Sequence, residues 1–376
     1  MKADRDFFSK TQSLKTPFII YDLQKLEDNY QRIKSSFPEF KVFFVMKSNA
    51  HPRIISLLRD LGAGFETASL NETSELLNLK VDSKKIMSFH PIKSPEFLQF
   101  LNKKRIDIMT ADSYQEIDKI AHDFPNAKIV PRVVVDNLGS AWQLNGKYGI
   151  EIVEFPHFFR YILRKGLLPW GLTFHVGSQC ENISNWIKAI QICDKVWEDA
   201  WRDGIRLKLL SLGGGIPVKY THIVPSIEKV GTVAMKELSK TFLYKTKPVF
   251  TIELGRSIVA DVGVLVNTVF GTATRGEINW IYIETGTYNG LVEAIETDNR
   301  NFFPVATQFP RRRKKIYNIG GPTCVSLDTP FVGIKLPRIN LGERVVIKNA
   351  GAYTTVCASS FNGFSPPKEY FFQDLN

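Results

Sequence analysis

The chain has 376 residues, of which 44% are hydrophobic and 23% charged, a composition typical of a soluble globular protein with room for two domains. Its N-terminus, MKADRDFFSK, lacks the apolar core of a signal peptide. The longest apolar stretch, residues 257–270, contains Asp261 and is too short to cross a bilayer. We therefore expect a cytoplasmic protein with no membrane partner.

Basic residues give the chain a net charge of +11, but only residues 311–315 (RRRKK) form a dense basic run. No aromatic side chains interleave with this run, as they would on a platform for single-stranded nucleic acid. We expect a solvated loop there rather than a site for an anionic partner, and no nucleic-acid partner. The cysteines show no paired metal-ligand spacing, which predicts free thiols and no metal site; they are Cys180, Cys193, Cys324 and Cys357.

From residue 40 onward, short β-rich runs alternate with amphipathic helical stretches. Eight strands separated by helices predict a parallel sheet closed into a (β/α)8 barrel, although a doubly wound open sheet would alternate in the same way. The predicted helices cover residues 53–61, 72–79, 95–104, 113–124 and 183–202. The predicted strands cover residues 42–47, 64–68, 86–90, 106–110, 129–135, 171–176, 208–212 and 249–253.

After about residue 260 this rhythm changes, because the strand-like runs are no longer separated by long helices. Such a pattern predicts a mainly antiparallel sandwich or barrel. We therefore predict a TIM-like α/β barrel over residues 22–260 and a β domain over residues 261–376. The extended stretch 16–21 could join the β domain, which would then include residues 1–21. The strand-like runs of this domain are 264–270, 280–284, 315–319 and 343–348.

Lys47 closes the first predicted barrel strand, in the apolar run FFVMKSN. A lysine amine in an apolar setting loses some preference for its charged form and can form a Schiff base with a carbonyl compound such as pyridoxal phosphate. The alternative is a strand-end lysine whose amine simply reaches water.

Other chemically useful residues also fall at strand ends, where a (β/α)8 barrel builds its active site. The triplet Gly213, Gly214 and Gly215 lets backbone N–H groups approach a phosphate. Glu253 could hold a protonated pyridine nitrogen, and the flat ring of His175 could stack on an aromatic cofactor. Taken singly, such residues are more often a salt-bridge partner, a core histidine or a tight turn. The same edge also has Glu66, Arg132, Ser178, Gly255 and Arg256.

The segments around these residues resemble the fold-type III pyridoxal-phosphate decarboxylases, the ornithine, lysine, arginine and diaminopimelate group. Their motifs are most similar to those of the ornithine decarboxylase branch, and the similarity runs from about Thr16 to the C-terminus. The resemblance implies a barrel plus β domain, pyridoxal 5'-phosphate as cofactor, an amino-acid substrate and a homodimer with shared active sites. The segments are VMKSN (45–49), GAGFETAS (62–69), FHVGSQ (174–179), LGGGIP (212–217), ELGR (253–256), GPTCVSLD (321–328) and GAYTTVCASSFNGF (351–364).

The resemblance also implies a role for each matching residue. Lys47 would carry the Schiff base, and Cys324 would be the catalytic thiol, supplied to the neighbouring subunit. His175 would stack on the ring, Glu253 would bind its nitrogen, and Arg132 would lie near its phenolic oxygen. Glu66 would be a further cofactor contact. The phosphate would be surrounded by Ser178, the triplet Gly213 to Gly215, Gly255, Arg256 and Tyr353. The substrate's side chain would contact Tyr288, Asp298, Val325 and Phe361.

Three positions depart from the pattern of the resembled family. Val325 stands directly after the cysteine, where diamine-forming members have an acidic residue that meets the substrate's distal ammonium. Because an unpaired buried ammonium is costly, Val325 argues for a substrate with a neutral or anionic distal end, which the basic run 311–315 would suit. Glu66 stands where the ornithine branch usually has an aspartate. Ser211 also stands at a position where an aspartate is common, and the sequence gives no reason for this change.

Three other interpretations stay open. One is a plain L-ornithine, L-lysine or L-arginine decarboxylase, in which Asp298 would recognise the distal ammonium of ornithine or lysine. A racemase of the alanine racemase type shares the architecture but needs a second base facing Lys47. A catalytically inactive decarboxylase-like binding protein would have no reason to keep Lys47, Glu253 and Cys324.

Overall fold

The computed structural model describes residues 5–144, 146–297 and 301–375, which form two compact units. We call residues 30–217 and 224–255 the barrel unit. Residues 5–29, 218–223 and 256–375 are the sheet unit. Within the described ranges, no helix is both long and apolar enough to span a membrane, and no group of His, Cys, Asp and Glu side chains is arranged to hold a metal ion.

Helices and strands follow one another along both units. The α-helices of the described residues are α1 (Arg5–Lys10), α2 (Leu23–Ser36), α3 (Pro52–Asp60), α4 (Leu70–Asn78), α5 (Pro95–Lys104), α6 (Tyr114–Asp123), α7 (Phe155–Arg164), α8 (Ser184–Arg202), α9 (Ile227–Leu238), α10 (Phe242–Lys245), α11 (Arg256–Val259) and α12 (Glu293–Glu296). The strands are β1 (Phe18–Tyr21), β2 (Phe40–Val45), β3 (Gly64–Glu66), β4 (Ile86–Met87), β5 (Ile108–Met109), β6 (Lys128–Ile129), β7 (Arg132–Val133), β8 (Ser140–Trp142), β9 (Leu168–Pro169), β10 (Gly171–Phe174), β11 (Ser178–Cys180), β12 (Leu209–Ser211), β13 (Val249–Leu254), β14 (Gly263–Arg275), β15 (Ile278–Ile283), β16 (Val305–Thr307), β17 (Lys314–Gly320), β18 (Phe331–Pro337), β19 (Arg344–Ile347) and β20 (Lys368–Phe371).

Parallel strands form the centre of the barrel unit. They pair in the order β4-β3-β2-β13-β12-β10-β7, and a parallel bridge between Ser88 and Met109 leads on to β5 and β6. Strands β6 and β7 are two halves of the predicted strand 129–135, since Pro131 between them has no N–H for the ladder. Each of the eight predicted barrel strands therefore occurs, and the predicted fold class is confirmed.

Several helices of the barrel unit begin at side-chain caps, whereas α7 and α8 do not. Ser94 accepts a hydrogen bond from the N–H of Phe97 and precedes a proline at the first turn, so that α5 covers the predicted residues 95–104. Ser113 caps α6 in the same way. Buried apolar side chains of several strands pack into one cluster, which consists of Phe43, Met87, Phe89, Val130 and Leu209.

A mixed, mostly antiparallel sheet forms the sheet unit. Its strands pair in the order β16-β19-β14-β15-β17-β18, and β1 joins β14 and β20. The pairing of Phe18 with Val266 confirms that the N-terminal stretch belongs to this sheet. The four strands predicted after residue 260 occur as β14, β15, β17 and β19. One face of the sheet is buried in a cluster of Phe7, Phe18, Ile20, Val264, Val266 and Val346.

Candidate active site

The carboxyl-terminal ends of the parallel strands bring most of the predicted barrel residues to one edge. Lys47 lies in a 3₁₀ turn directly after β2, and Glu66 ends the neighbouring strand β3. Glu253 is near the end of β13, which pairs with β2 on the other side. Arg132 begins β7 and His175 follows β10. This topology agrees with the prediction of a shared edge for Lys47, Glu66, Glu253 and His175. Arg132 begins its strand, but its charge lowers the pKa of both Glu66 and Glu253, which places it near them.

Lys47 is exposed, although Met46 and Ser48 on either side of it are buried. Its charge acts on nearby ionisable groups, including Glu66 and His175. The expectation that its amine lies in an apolar setting is therefore wrong. The 3₁₀ turn directs its flanking residues into the core and leaves the lysine among charged neighbours.

Two carboxylates, Glu66 and Glu253, are buried at this edge, each with 8% of its surface exposed. Burial raises the pKa of Glu66, which the charges of Lys47 and Arg132 lower in part. Burial, together with the proximity of Glu66, raises the pKa of Glu253 to about 8. Without a ligand, Glu253 therefore carries a proton at neutral pH and can offer it to a basic atom.

Two hydroxyl groups hold the Glu253 carboxylate in place. Ser211 Oγ donates a hydrogen bond to Glu253 Oε1, and Thr173 Oγ1 donates to the same oxygen at 3.1 Å. Both hydroxyls are buried on neighbouring strands, β12 and β10. Thr173 was not predicted as a site residue and Ser211 had no explanation in the sequence, because partners so far apart in the chain leave no local pattern.

His175 is a neutral ring in this structure. Its Nδ1 accepts a hydrogen bond from the N–H of Gly177 at 3.0 Å, so the lone pair on that nitrogen is used. Burial lowers the pKa of His175 well below its usual value, and the charges of Arg132 and Lys47 lower it further. The Arg132 guanidinium lies 5.8 Å from the centre of the Tyr148 ring. A neutral imidazole can lie flat against an aromatic ligand without repelling a nearby cation.

The glycine triplet forms a tight turn shortly after the end of β12. A Cβ on Gly213 would lie 1.9 Å from the carbonyl oxygen of Phe174, and one on Gly214 would lie 2.5 Å from the carbonyl oxygen of Glu253. Gly215 has a φ of +100°. Among the described residues, the N–H groups of Gly214 and Gly215 donate to no acceptor. Adjacent backbone donors without acceptors, one of them on the buried Gly214, fit an anion such as a phosphate.

Glu72 is a site residue that the sequence analysis missed. Its backbone N–H donates to the cap Ser69, and its Oε2 accepts from the N–H of Ala68 at 2.7 Å. Burial raises the pKa of Glu72, whereas that backbone hydrogen bond and Lys47 lower it. A capping-box pattern, serine followed three residues later by glutamate, is the signal that could have found it.

In the sheet unit, Cys324 and Val325 share a turn after β17, and the Cys324 thiol is exposed. The buried Asp328 carboxylate fixes this turn, since it accepts from the N–H of Thr323 at 2.9 Å and from its hydroxyl at 2.8 Å. It also accepts from the N–H of Thr287 at 2.7 Å. Asp328 thus connects the cysteine turn with the loop that leads into Tyr288.

Of the predicted substrate residues, Tyr288 and Phe361 lie together, with ring centres 4.9 Å apart. Asp298 lies outside the described residues. The basic run 311–315 begins β17, whereas Cys324 follows the other end of that strand. Lys314 and Gly320 are six residue steps apart along the strand, or about 20 Å. The interpretation that this run suits an anionic group near Cys324 of the same chain is therefore wrong.

Arg256 is buried and forms a two-pronged ion pair with Glu293, one arm of which is 2.7 Å long. Its Nη1 also donates to the hydroxyl of Tyr220 at 3.2 Å, and its guanidinium lies 4.8 Å from the centre of the Tyr353 ring. Neither Glu293 nor Tyr220 was predicted from the sequence.

The remaining predicted cofactor residues occupy strand ends of the barrel unit. Ser178 lies in β11, opposite Trp142 of β8. Gly255 follows β13 directly, and a Cβ on it would lie 2.8 Å from the side chain of Ser48, beside Lys47.

Comparison with known families gives one match over most of the chain. The model described as "Pyridoxal-dependent decarboxylase, pyridoxal binding domain" matches residues 23–260. The lysine/ornithine decarboxylase of Selenomonas ruminantium is 32% identical over 375 residues, which cover 99% of this chain and 93% of that protein.

Solved structures share the fold over the whole chain. SrLDC, the lysine decarboxylase of Selenomonas ruminantium, in complex with PLP and cadaverine, superposes with a TM-score of 0.91 at 29% identity and covers 100% of this chain and 95% of that one. The arginine decarboxylase of Paramecium bursaria Chlorella virus gives a TM-score of 0.90 at 25% identity, with 98% of each chain covered.

Proposed function

Because this chain belongs to the pyridoxal-dependent decarboxylase family, as an amino-acid decarboxylase of the ornithine, lysine and arginine type that uses pyridoxal 5'-phosphate, we propose that Lys47 binds the cofactor covalently. The observation that carries this proposal is that one edge of the sheet has both an exposed lysine and a buried Glu253 whose carboxylate accepts hydrogen bonds from two hydroxyls. A carboxylic acid in that position can hold a proton at the cofactor's ring nitrogen.

The other residues at this edge fit the remaining parts of the cofactor. The free N–H groups of Gly214 and Gly215 would bind the phosphate, and the neutral ring of His175 would lie against the pyridine face. Arg132 would lie near the phenolic oxygen, and Glu66 would be a further contact. When bound, pyridoxal phosphate serves as the electron sink for the electron pair left by the departing carboxyl group. Ser178, Gly255, Arg256 and Tyr353 remain proposed phosphate contacts.

Cys324 is the proposed proton donor. An exposed thiol on a rigid turn can deliver a proton from Sγ to the carbon that loses the carboxyl group. We propose a homodimer in which each Cys324 serves the site of the neighbouring subunit.

The proposed substrate has a neutral or anionic distal end. Val325 offers no charge to an ammonium, and the nearby Asp328 is buried with both carboxylate oxygens bonded within the chain. Tyr288 and Phe361 present aromatic rings instead. A second candidate is plain L-lysine or L-ornithine, which the name of the Selenomonas ruminantium relative favours.

Replacement of Lys47 tests the covalent link directly. The wild-type chain, Lys47→Ala and Lys41→Ala would each be loaded with pyridoxal phosphate, reduced with borohydride and digested for mass spectrometry. We expect the reduced cofactor on the Lys47 peptide of the wild type. We expect the same for Lys41→Ala, which changes an exposed lysine on β2, the strand that Lys47 follows. Cofactor that stays covalently attached in Lys47→Ala would refute the proposal.

A further inference from the structure

Ser211 ends strand β12 immediately before the glycine turn and is completely buried. Its Oγ donates to Glu253 Oε1 and accepts from the N–H of Gly213 at 3.2 Å. The Ser211 hydroxyl therefore links two parts of the site. One is the glycine turn, which carries the free N–H groups, and the other is the Glu253 carboxylate on β13. The roles proposed above for Lys47 and the other site residues do not explain why Ser211 makes these two hydrogen bonds.

The two hydroxyls that reach Glu253 both bond to Oε1. Thr173 Oγ1 and Ser211 Oγ converge on this oxygen from adjacent strands. No residue in the described ranges donates to Oε2 of Glu253. Two bonds to one oxygen fix the rotation of the carboxylate and leave the other oxygen available to a ligand.

The surroundings of Glu253 shift its pKa in opposite directions. Burial and Glu66 raise its pKa, while the hydrogen bonds from Ser211 and Thr173 and the charge of Arg132 lower it. Lys47 and His175 belong to the same edge, and His175 is neutral because its pKa is lowered. A serine hydroxyl at position 211 favours the ionised form of Glu253 without adding another acid to this group.

We propose that Ser211 is a positioning residue that aims Oε2 of Glu253 at the ring nitrogen of the cofactor and holds the carboxylate ionised there. This inference rests on the proposed function, in which Glu253 meets that nitrogen. Thr173 supports the same orientation through its own hydrogen bond to Oε1.

The test compares Ser211→Ala with the wild-type chain, each freed of cofactor and titrated with pyridoxal 5'-phosphate between pH 6 and pH 9. We expect the dissociation constant to rise on the order of tenfold, because a hydrogen bond to a charged group is lost. The pH midpoint governed by Glu253 should move upward, since a bond that stabilises the ionised form is gone. In a parallel titration, the dissociation constant of inorganic phosphate should change by less than about twofold.

Two further variants control for folding and for the loss of a buried hydroxyl. Thr251→Val removes a hydroxyl from the same strand as Glu253 that has no hydrogen-bond partner in the described residues. It should bind pyridoxal phosphate with the wild-type dissociation constant and pH midpoint. Ser211→Thr keeps a hydroxyl at the position and should retain the wild-type pH midpoint even if the alanine variant fails to fold.

The inference is overturned if Ser211→Ala keeps the wild-type midpoint and weakens inorganic phosphate as much as pyridoxal phosphate, because Ser211 would then only shape the glycine turn. An equal shift in Thr251→Val would also overturn it. Failure of the proposed function looks different, since the wild-type chain itself would then lack borohydride-stable cofactor at Lys47.

Discussion

Glu253 is the residue whose chemistry depends most on its surroundings. Its ordinary pKa of 4.5 rises to about 8 through burial and the proximity of Glu66. The ligand-free folded chain therefore keeps a proton that the unfolded chain releases above about pH 4.5. Because the folded state binds more protons in this window, the free energy of unfolding falls as the pH rises from about 4.5 to about 8.

The substitution Glu253→Gln removes this titration, so the pH dependence of stability that comes from Glu253 should disappear. The difference in unfolding free energy, variant minus wild type, should grow by at least about 1 kcal/mol between pH 5 and pH 9 in the ligand-free chain. Urea unfolding at the two pH values measures it. Glu277→Gln, which changes an exposed glutamate, should give the same difference at both. Parallel behaviour of the two variants would contradict the account.

For Lys47, the sequence pattern predicts one structural property and misses another. Its position at the end of a buried strand could be predicted from the apolar run before it. Its exposure could not, because the turn Met46–Ser48 decides which side chains point inward. The hydroxyl partners of Glu253 were also beyond prediction, since Ser211 is 42 residues away and Thr173 is 80 residues away.

At the scale of elements, the turn that follows β17 depends on one buried carboxylate. Asp328 occupies space that only glycine leaves open, since a Cβ on Gly286 would lie 1.9 Å from its Oδ1 and one on Gly321 would lie 2.2 Å from it. The same carboxylate receives the backbone N–H groups of Thr287 and Thr323. The spacing of the motif GPTCVSLD is thus explained by a turn folded around its own last residue.

Asp328→Ala should loosen this turn and leave two backbone donors without acceptors. We expect a loss of about 2–3 kcal/mol in unfolding free energy. We also expect faster hydrogen exchange in the peptides that contain Thr287 and Thr323, as measured by mass spectrometry. Asp60→Ala, at an exposed aspartate, should change neither quantity by much. Unchanged exchange in Asp328→Ala would show that the turn is held by other contacts.

Strand boundaries were predicted less well than the strands themselves. Residues 129–135 looked like one continuous strand, but Pro131 divides it into β6 and β7. Helices α7 and α9 were not singled out, and neither was the pair β8 and β11. Short strands such as β8 depend on pairing with a distant segment, which leaves little signal in the local sequence.

Across the whole molecule, the alternation of strands and helices and the later change of rhythm predicted a parallel α/β barrel followed by a mainly antiparallel sheet, and both kinds of sheet occur. The predicted domain bounds differ from those of the compact units, because residues 22–29, 218–223 and 256–260 group with the sheet unit. The ion pair of Arg256 with Glu293 was not predictable in this way, because it connects positions 37 residues apart that no motif relates. The sharing of Cys324 between subunits stays a prediction.

The most direct measurement is mass spectrometry of the cofactor-loaded chain incubated with candidate amino acids. The panel holds ornithine, lysine, arginine, meso-diaminopimelate, glutamate, and carboxylated or carrier-linked analogues. We predict loss of carbon dioxide that depends on Lys47 and is fastest for a substrate with a neutral or anionic distal end. Faster turnover of lysine or ornithine would contradict the proposed substrate class. No loss of carbon dioxide from any member, by a chain that holds the cofactor on Lys47, would contradict the account as a whole.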